Sequence, residues 1–222
     1  MTMMKSDKAV LFDLDGTLVD SERDNVESVV LAARQYGVEL SAEMRFFIVG
    51  HSWNEIYARI QEEHALPLSM DALIALAVEE KRALVAKKGY QALPGAVALV
   101  RRLAGKVPLA VVSGASRVEV REAVEGIGLT SYFKALLGAE DYGKGKPNPE
   151  PFLLGMNRVG ASPNGCIVIE DAQPGILAGK AAGMKVIAVA AGNFLGYDQS
   201  AADVLVATLE DVTDALCEQL WG

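Results

Sequence analysis

Short aliphatic runs recur along this chain, and between them apolar residues return every three or four positions. Residues 9–15 (AVLFDLD), 108–113 (PLAVVS), 166–170 (CIVIE) and 185–190 (KVIAVA) are runs of the first kind. Continuous β-rich runs of this length, alternating with helical stretches, predict a parallel sheet buried on both faces. Residues 202–206 predict a fifth strand at an edge. The first three runs end in polar groups: Asp13 and Asp15, Ser113, and Glu170 with Asp171. In an open α/β sheet such strand ends converge on one rim, where ligands bind.

The pattern changes between Ser21 and Gly89. Ser21 stands where it can N-cap a helix running to Gly37, with Val26, Val29, Val30 and Ala33 on one stripe. Residues 52–64 predict a second helix through Ile56 and Ile60, and Ser69 caps a third that runs to Gly89. No strand is predicted in this stretch. The expected organisation is an α/β, doubly wound, Rossmann-like core of residues 1–20 and 91–222, with an all-helical cap, 21–90, inserted after the first strand. Pro94-Gly95 restarts the core with a helix toward Gly105. Ser116 with Glu119 forms a capping box, and Pro174 and Gly183 bracket a further helix.

Composition narrows the function. The chain has 222 residues, is 51% hydrophobic and carries a net charge of −8, which argues against a nucleic-acid partner. Two distant cysteines, Cys166 and Cys217, make neither a disulfide framework nor a zinc motif. No apolar run reaches membrane-spanning length and no signal-peptide h-region is evident, so a cytoplasmic protein without a membrane partner is expected. With two histidines, His51 and His64, a His-rich metal site is not expected.

Four groups of residues carry chemistry. Asp13 and Asp15 leave one face of a strand together at its end. Two close carboxylates repel unless a cation or shared proton relieves them, and a divalent metal is the simplest relief. Ser113 follows a strand and precedes a helix start, where a hydroxyl and backbone N–H groups can hold an anion. Lys146 is stiffened by Pro147 and Pro149, which suits neutralising a phosphate or a carboxylate pair, whereas Lys144 reads as solvated. Gly138-x4-Gly143-Lys144 is not a P-loop, because Gly145 stands where Ser or Thr is required. Glu170 and Asp171 at a buried strand end point to metal ligation. Together these groups make a phosphoryl-transfer kit of Mg²⁺ ligands (Asp13, Asp15, Glu170 and Asp171), an anion cradle and one fixed Lys.

The blocks DLDGTLVDS, VVSGAS, GKPNPEPF and IEDAQPGILAGKAAG occur in one order across the core. In these the chain resembles the haloacid dehalogenase-like hydrolase superfamily, in its small-helical-cap branch of phosphoglycolate phosphatases, sugar phosphatases and β-phosphoglucomutases. The resemblance implies that Asp13 attacks phosphorus to form an aspartyl-phosphate. Asp15 would protonate the leaving oxygen and then deprotonate the hydrolytic water. Ser113 and Lys146 would hold the phosphoryl group with help from the Gly114 amide. Mg²⁺ would sit between the Asp13 and Asp171 carboxylates and the Asp15 carbonyl, with Glu170 ligating directly or through water. Thr17 would shape the turn beside Asp15.

Departures from the branch choose among its activities. The β-phosphoglucomutases carry a His at the place of Asn25 and an Arg near Trp53, so hydrolysis is expected over mutase chemistry. A Schiff-base Lys early in the cap is missing, since Lys81 is the first cap lysine. The substrate loop is expected at residues 49–54, with His51 and Trp53 as specificity residues and Arg117 on the rim. The implied substrate is a small phosphorylated metabolite, and the implied assembly a monomer or small homo-oligomer. The alternatives are a phosphomutase and a non-catalytic phosphometabolite-binding module.

Overall fold

A computed structural model of the chain describes residues 7–48, 51, 53–194 and 196–222. The chain divides into two compact units, one of residues 1–20 with 91–222 and one of residues 21–90.

The first unit is built on a six-stranded sheet in the order β3-β2-β1-β4-β5-β6, parallel throughout. Its strands are β1 (Ala9–Phe12), β2 (Leu109–Val112), β3 (Ala135–Leu137), β4 (Cys166–Glu170), β5 (Lys185–Val189) and β6 (Val204–Val206). Registers such as Leu11 beside Ala110 and Val168 bring the carboxyl ends of β1, β2 and β4 to one level. The strand order reverses beside β1, the position at which open sheets form their binding crevice.

Both sheet faces are covered, so β1, β2 and β4 are buried along their whole length. Residues of one parity (Leu11, Val112, Val168 and Val186 among them) pack with Phe152 and Met156 of α7 (Glu150–Val159) and Ile176 of α8 (Gln173–Ala181). Burial pushes the Cys166 thiol up to about 12, so it is an inert core residue. The unit also holds α5 (Ala96–Leu103), α6 (Arg117–Gly126) and α9 (Asp214–Trp221).

The second unit is helical in its described residues: α1 (Glu22–Arg34), α2 (Ala42–Ile48), α3 (Trp53–His64) and α4 (Met70–Lys88). Its core joins Val29, Val30 and Ala33 of α1 to Met44, Ile56, Ile60 and Leu73. Buried Asp24 pairs with Lys88 across α1 and α4. No helix among the described residues is long and apolar enough to cross a membrane.

Several boundaries differ from expectation. The first strand stops at Phe12, and after Asp13, whose N–H still bonds Ile169 O, the chain turns between Leu14 and Val19. The second strand loses one residue at each end, the fourth its last residue and the edge strand its first two. A fourth helix, α2, stands in the second unit, with the Ser41 hydroxyl accepting from Met44 N at 3.0 Å. Ser21 precedes α1 with helical dihedrals, so its hydroxyl makes no capping bond. Ser69 does cap α4, and Ser116 with Glu119 forms the full capping box at α6.

Candidate active site

The site is assembled from loops at the carboxyl ends of β1, β2 and β4 and the loop preceding α7. Asp13 directly follows β1, and its N–H donates to Ile169 O at 2.9 Å, so the β1–β4 ladder holds its backbone. Gly16 then turns at φ +76°. A side chain there would be strained and its Cβ would collide with the Asp171 carboxylate, so only glycine lets the β1 loop lie against β4.

Lys146 ties the acids together. Its Nζ donates to Asp13 Oδ1 at 2.5 Å, to Glu170 Oε1 at 2.7 Å and to Val112 O at 3.1 Å, and lies 4.9 Å from the Phe152 ring centroid. Burial by itself would lower the pKa of this ammonium, but Asp13 and Glu170 outweigh it and hold the group firmly protonated.

The carboxylates divide their work. Asp13, Glu170 and Asp171 form a buried group whose candidate ligand oxygens all lie within 4.8 Å of one another. Both Glu170 oxygens are engaged: Oε1 takes Lys146, and Oε2 accepts from Asp171 N and Ala172 N, each at 2.9 Å. Asp171 Oδ1 accepts from the Thr17 hydroxyl at 3.0 Å. Asp13 Oδ2 and Asp171 Oδ2 accept no hydrogen bond from the described residues. Burial raises the Asp13 carboxyl well above its ordinary value, opposed by Lys146 and reinforced by Glu170, Asp171 and Asp15. Burial and the neighbouring Glu170 push Asp171 up to about 7. Buried acids that resist ionisation, with two oxygens unspent, are a fit for a hard divalent cation such as Mg²⁺. The Asp15 side chain stands outside this group and accepts from Ser113 Oγ at 3.3 Å.

Ser113 is 1% exposed, and its Oγ also accepts from Ala115 N at 3.0 Å. The Gly114 N–H makes no hydrogen bond among the described residues. Asp13, Asp15, Ser113, Gly114, Lys146, Glu170 and Asp171 thus come together at one end of the sheet.

The expected specificity residues have partners within their own units. The Arg117 guanidinium is committed to Asp141, at 2.8 and 3.3 Å. In the second unit, exposed His51 stacks on Phe47 at 3.8 Å and bonds Phe47 O, and Trp53 packs against that unit's core. Val49, Gly50 and Ser52 of the expected loop lie outside the described residues.

Two contributors had no sequence signal. The Gln199 amide donates to Asp171 O at 2.6 Å and Val189 O at 3.0 Å, and the Tyr142 hydroxyl donates to Ser113 O at 2.7 Å. Each lies 28 or 29 positions from its partner at the site.

A parallel α/β sheet whose strand ends gather four acids, one lysine and a serine places this chain among the α/β enzymes that bind at their strand ends. The chain belongs to the haloacid dehalogenase-like hydrolases, whose family model matches residues 10–189. It is 34% identical over 198 residues to hexitol phosphatase A of Escherichia coli K12, covering 82% of each protein. It is also 34% identical over 215 residues to the bifunctional riboflavin kinase/FMN phosphatase of Arabidopsis thaliana, covering 95% of this chain but 56% of that larger protein. A solved Thermotoga maritima structure, provisionally assigned as a β-phosphoglucomutase, superposes with a TM-score of 0.81 at 26% identity. That match covers 95% of this chain and 99% of the other.

Proposed function

We propose that this enzyme is a Mg²⁺-dependent phosphatase that hydrolyses a small phosphorylated metabolite, of the sugar-phosphate class, through an aspartyl-phosphate on Asp13. The observation that carries the reading is the placing of Lys146 between Asp13 and Glu170 beside Ser113. An attacking carboxylate needs its charge held but not quenched, and the transferring group needs cations and N–H donors around it.

Asp13 attacks phosphorus and the ester oxygen leaves with the P–O electron pair. Asp15 supplies the proton to that oxygen, then takes one from the water that attacks the acyl-phosphate. Lys146, the Ser113 hydroxyl and the Gly114 N–H balance charge on the equatorial oxygens. Asp13 and Asp171 would hold Mg²⁺ through their unspent oxygens, with Glu170 fixing the loop and Lys146 between them. The bound cation supplies charge neutralisation at the transferring group. Water is the favoured acceptor because Asn25 cannot serve as the acid/base for a sugar hydroxyl, as the His of mutases does. Hexitol phosphatase A among the relatives supports a phosphorylated polyol or sugar.

The test is a panel of phosphate esters, including hexose and hexitol phosphates, phosphoglycolate and flavin mononucleotide, with phosphate release and product analysis. Wild-type protein in Mg²⁺ should release phosphate and form a hydroxylamine-sensitive phosphoenzyme. Asp13→Asn should lose at least about 10³-fold in kcat while keeping the fold, because the nucleophile is gone. Isomer formation from a hexose 1-phosphate without free phosphate would replace this reading with a mutase, and an inert wild type would replace it with a binding module.

A further inference from the structure

The segment after β3 wraps the loop after β2. Ser113 N donates to Leu137 O at 3.1 Å, Ala139 N to Ala115 O at 2.8 Å and Arg117 N to the Glu140 carboxylate at 2.8 Å. The Arg117 guanidinium grips Asp141, whose Oδ2 in turn accepts from Gly138 N at 3.0 Å. The two backbones touch, since a Cβ on Gly138 would stand 2.5 Å from Arg117 N. Tyr142 closes this clasp, with its hydroxyl 2.7 Å from the Ser113 carbonyl oxygen.

That carbonyl shares a peptide plane with the Gly114 N–H. In a trans peptide the C=O and N–H point in opposite directions, so holding one aims the other. The plane lies before a glycine, where a flip meets least steric resistance. Nothing stands within 4 Å of a Cβ built on Gly114, so the glycine itself is uncrowded. Tyr142 is the side chain that grips the plane from its carbonyl edge. Burial raises the Tyr142 phenol above its ordinary value, so the hydroxyl keeps its proton through neutral and alkaline pH.

We propose that Tyr142 is a positioning residue for phosphoryl transfer: by holding the Ser113 carbonyl it locks the Ser113–Gly114 peptide with the Gly114 N–H aimed as an oxyanion donor. The proposal rests on the phosphatase reading of the same site. It separates two jobs within one loop, because the Ser113 hydroxyl is set by Ala115 N and Asp15 whereas the Gly114 amide is set by Tyr142. Donors held before reaction cost no reorganisation in the transition state, and losing one lowers kcat by 10²–10³-fold. A donor that is misaimed for part of the time loses less, about 10-fold.

The test is Tyr142→Phe, which keeps the ring and removes only the hydroxyl, in the full chain with saturating Mg²⁺. Six quantities are compared with wild type: kcat, KM, the Mg²⁺ activation constant, the melting temperature, the affinity for inorganic phosphate by calorimetry, and inhibition by orthovanadate. We expect kcat to fall about 10-fold and vanadate inhibition to weaken by a similar factor. KM, phosphate affinity and the Mg²⁺ activation constant should stay within about twofold. A fall in melting temperature with unchanged kcat and vanadate inhibition would make the hydroxyl merely structural and overturn the proposal. So would an equal loss in Mg²⁺ activation, which would move its action to the carboxylates. If wild type cleaves no ester and binds neither oxyanion, the phosphatase reading fails and takes this proposal with it. Wild-type activity with an unaltered variant fails the positioning role alone.

Discussion

Asp171 makes the metal-free enzyme pH-sensitive in a direction opposite to that of a salt-bridged acid. Its carboxyl is pushed from 3.8 up to about 7 by burial and by Glu170, despite the Thr17 hydroxyl and Lys146. In the unfolded chain the same group loses its proton near its ordinary value. Between those two points the unfolded chain is ionised while the folded one stays protonated, so stability falls as pH rises through the interval and the loss is complete above about 7. A rise of this size, at 1.36 kcal/mol per pH unit, is worth about 4 kcal/mol. For a protein of this length that corresponds to roughly 10 °C in melting temperature. The assay is urea or thermal unfolding in EDTA between pH 4.5 and 8.5, for wild type and Asp171→Asn. The asparagine keeps an oxygen for Thr17, removes the charge and relieves Asp13 of a negative neighbour. Wild type should lose several kcal/mol across the range and the variant much less, so that the variant is the more stable protein at pH 8. Mg²⁺ at 100 times its Kd should return about 2.7 kcal/mol to wild type and little to the variant. Parallel pH curves for the two proteins in EDTA, or a variant less stable at pH 8, would refute the reasoning.

Lys146→Met should destabilise the α/β unit by about 3–5 kcal/mol at pH 8, because Asp13 and Glu170 are left buried with no counter-charge. The cost should shrink at pH 5, where those acids can take up protons, and denaturant titrations at the two pH values read the difference. Gly16→Ala combines a strained φ of +76° with a Cβ in collision with Asp171. It should cost at least about 2 kcal/mol by unfolding and abolish Mg²⁺-dependent stabilisation, measured as the shift in melting temperature on adding the metal.

Much of this architecture is legible in the sequence wherever a local rule acts alone. The apolar run before Asp13, the Ser116/Glu119 capping box and the Pro174 and Gly183 brackets depend on neighbours within a few positions, and each marks an element that is present. The strand β3 is hidden because three residues, two of them half-buried, give no periodicity to detect. Helix α7 is hidden for a different reason. Pro147, Pro149 and Pro151 suggest an extended loop, yet proline is compatible with a first helical turn, and the helix starts among them. Arg117, which opens α6, gives no local signal of its engagement either. Its partner Asp141 lies 24 positions away and became visible only when β2 and β3 were paired.

The same distinction governs the acids. In the sequence Glu170 and Asp171 are equivalent, two carboxylates at one strand end. In the structure Glu170 is saturated by Lys146 and two backbone N–H groups, whereas Asp171 spends one oxygen on Thr17 and keeps the other. The charge balance then explains why an acidic enzyme can take an anionic substrate. Asp13, Asp15, Glu170 and Asp171 meet a single cation, Lys146, among the described residues of the site. With its acids ionised, such a site repels a phosphate dianion. Burial, reinforced by the neighbouring acids and opposed by Lys146, raises the Asp13 and Asp171 carboxyls. A divalent cation held by Asp13 and Asp171 would lower both and turn the local field toward phosphate. On the proposed phosphatase reading, the burial that makes these acids costly would make metal and phosphate binding interdependent, with Lys146 bonded to Asp13 and Glu170 between them.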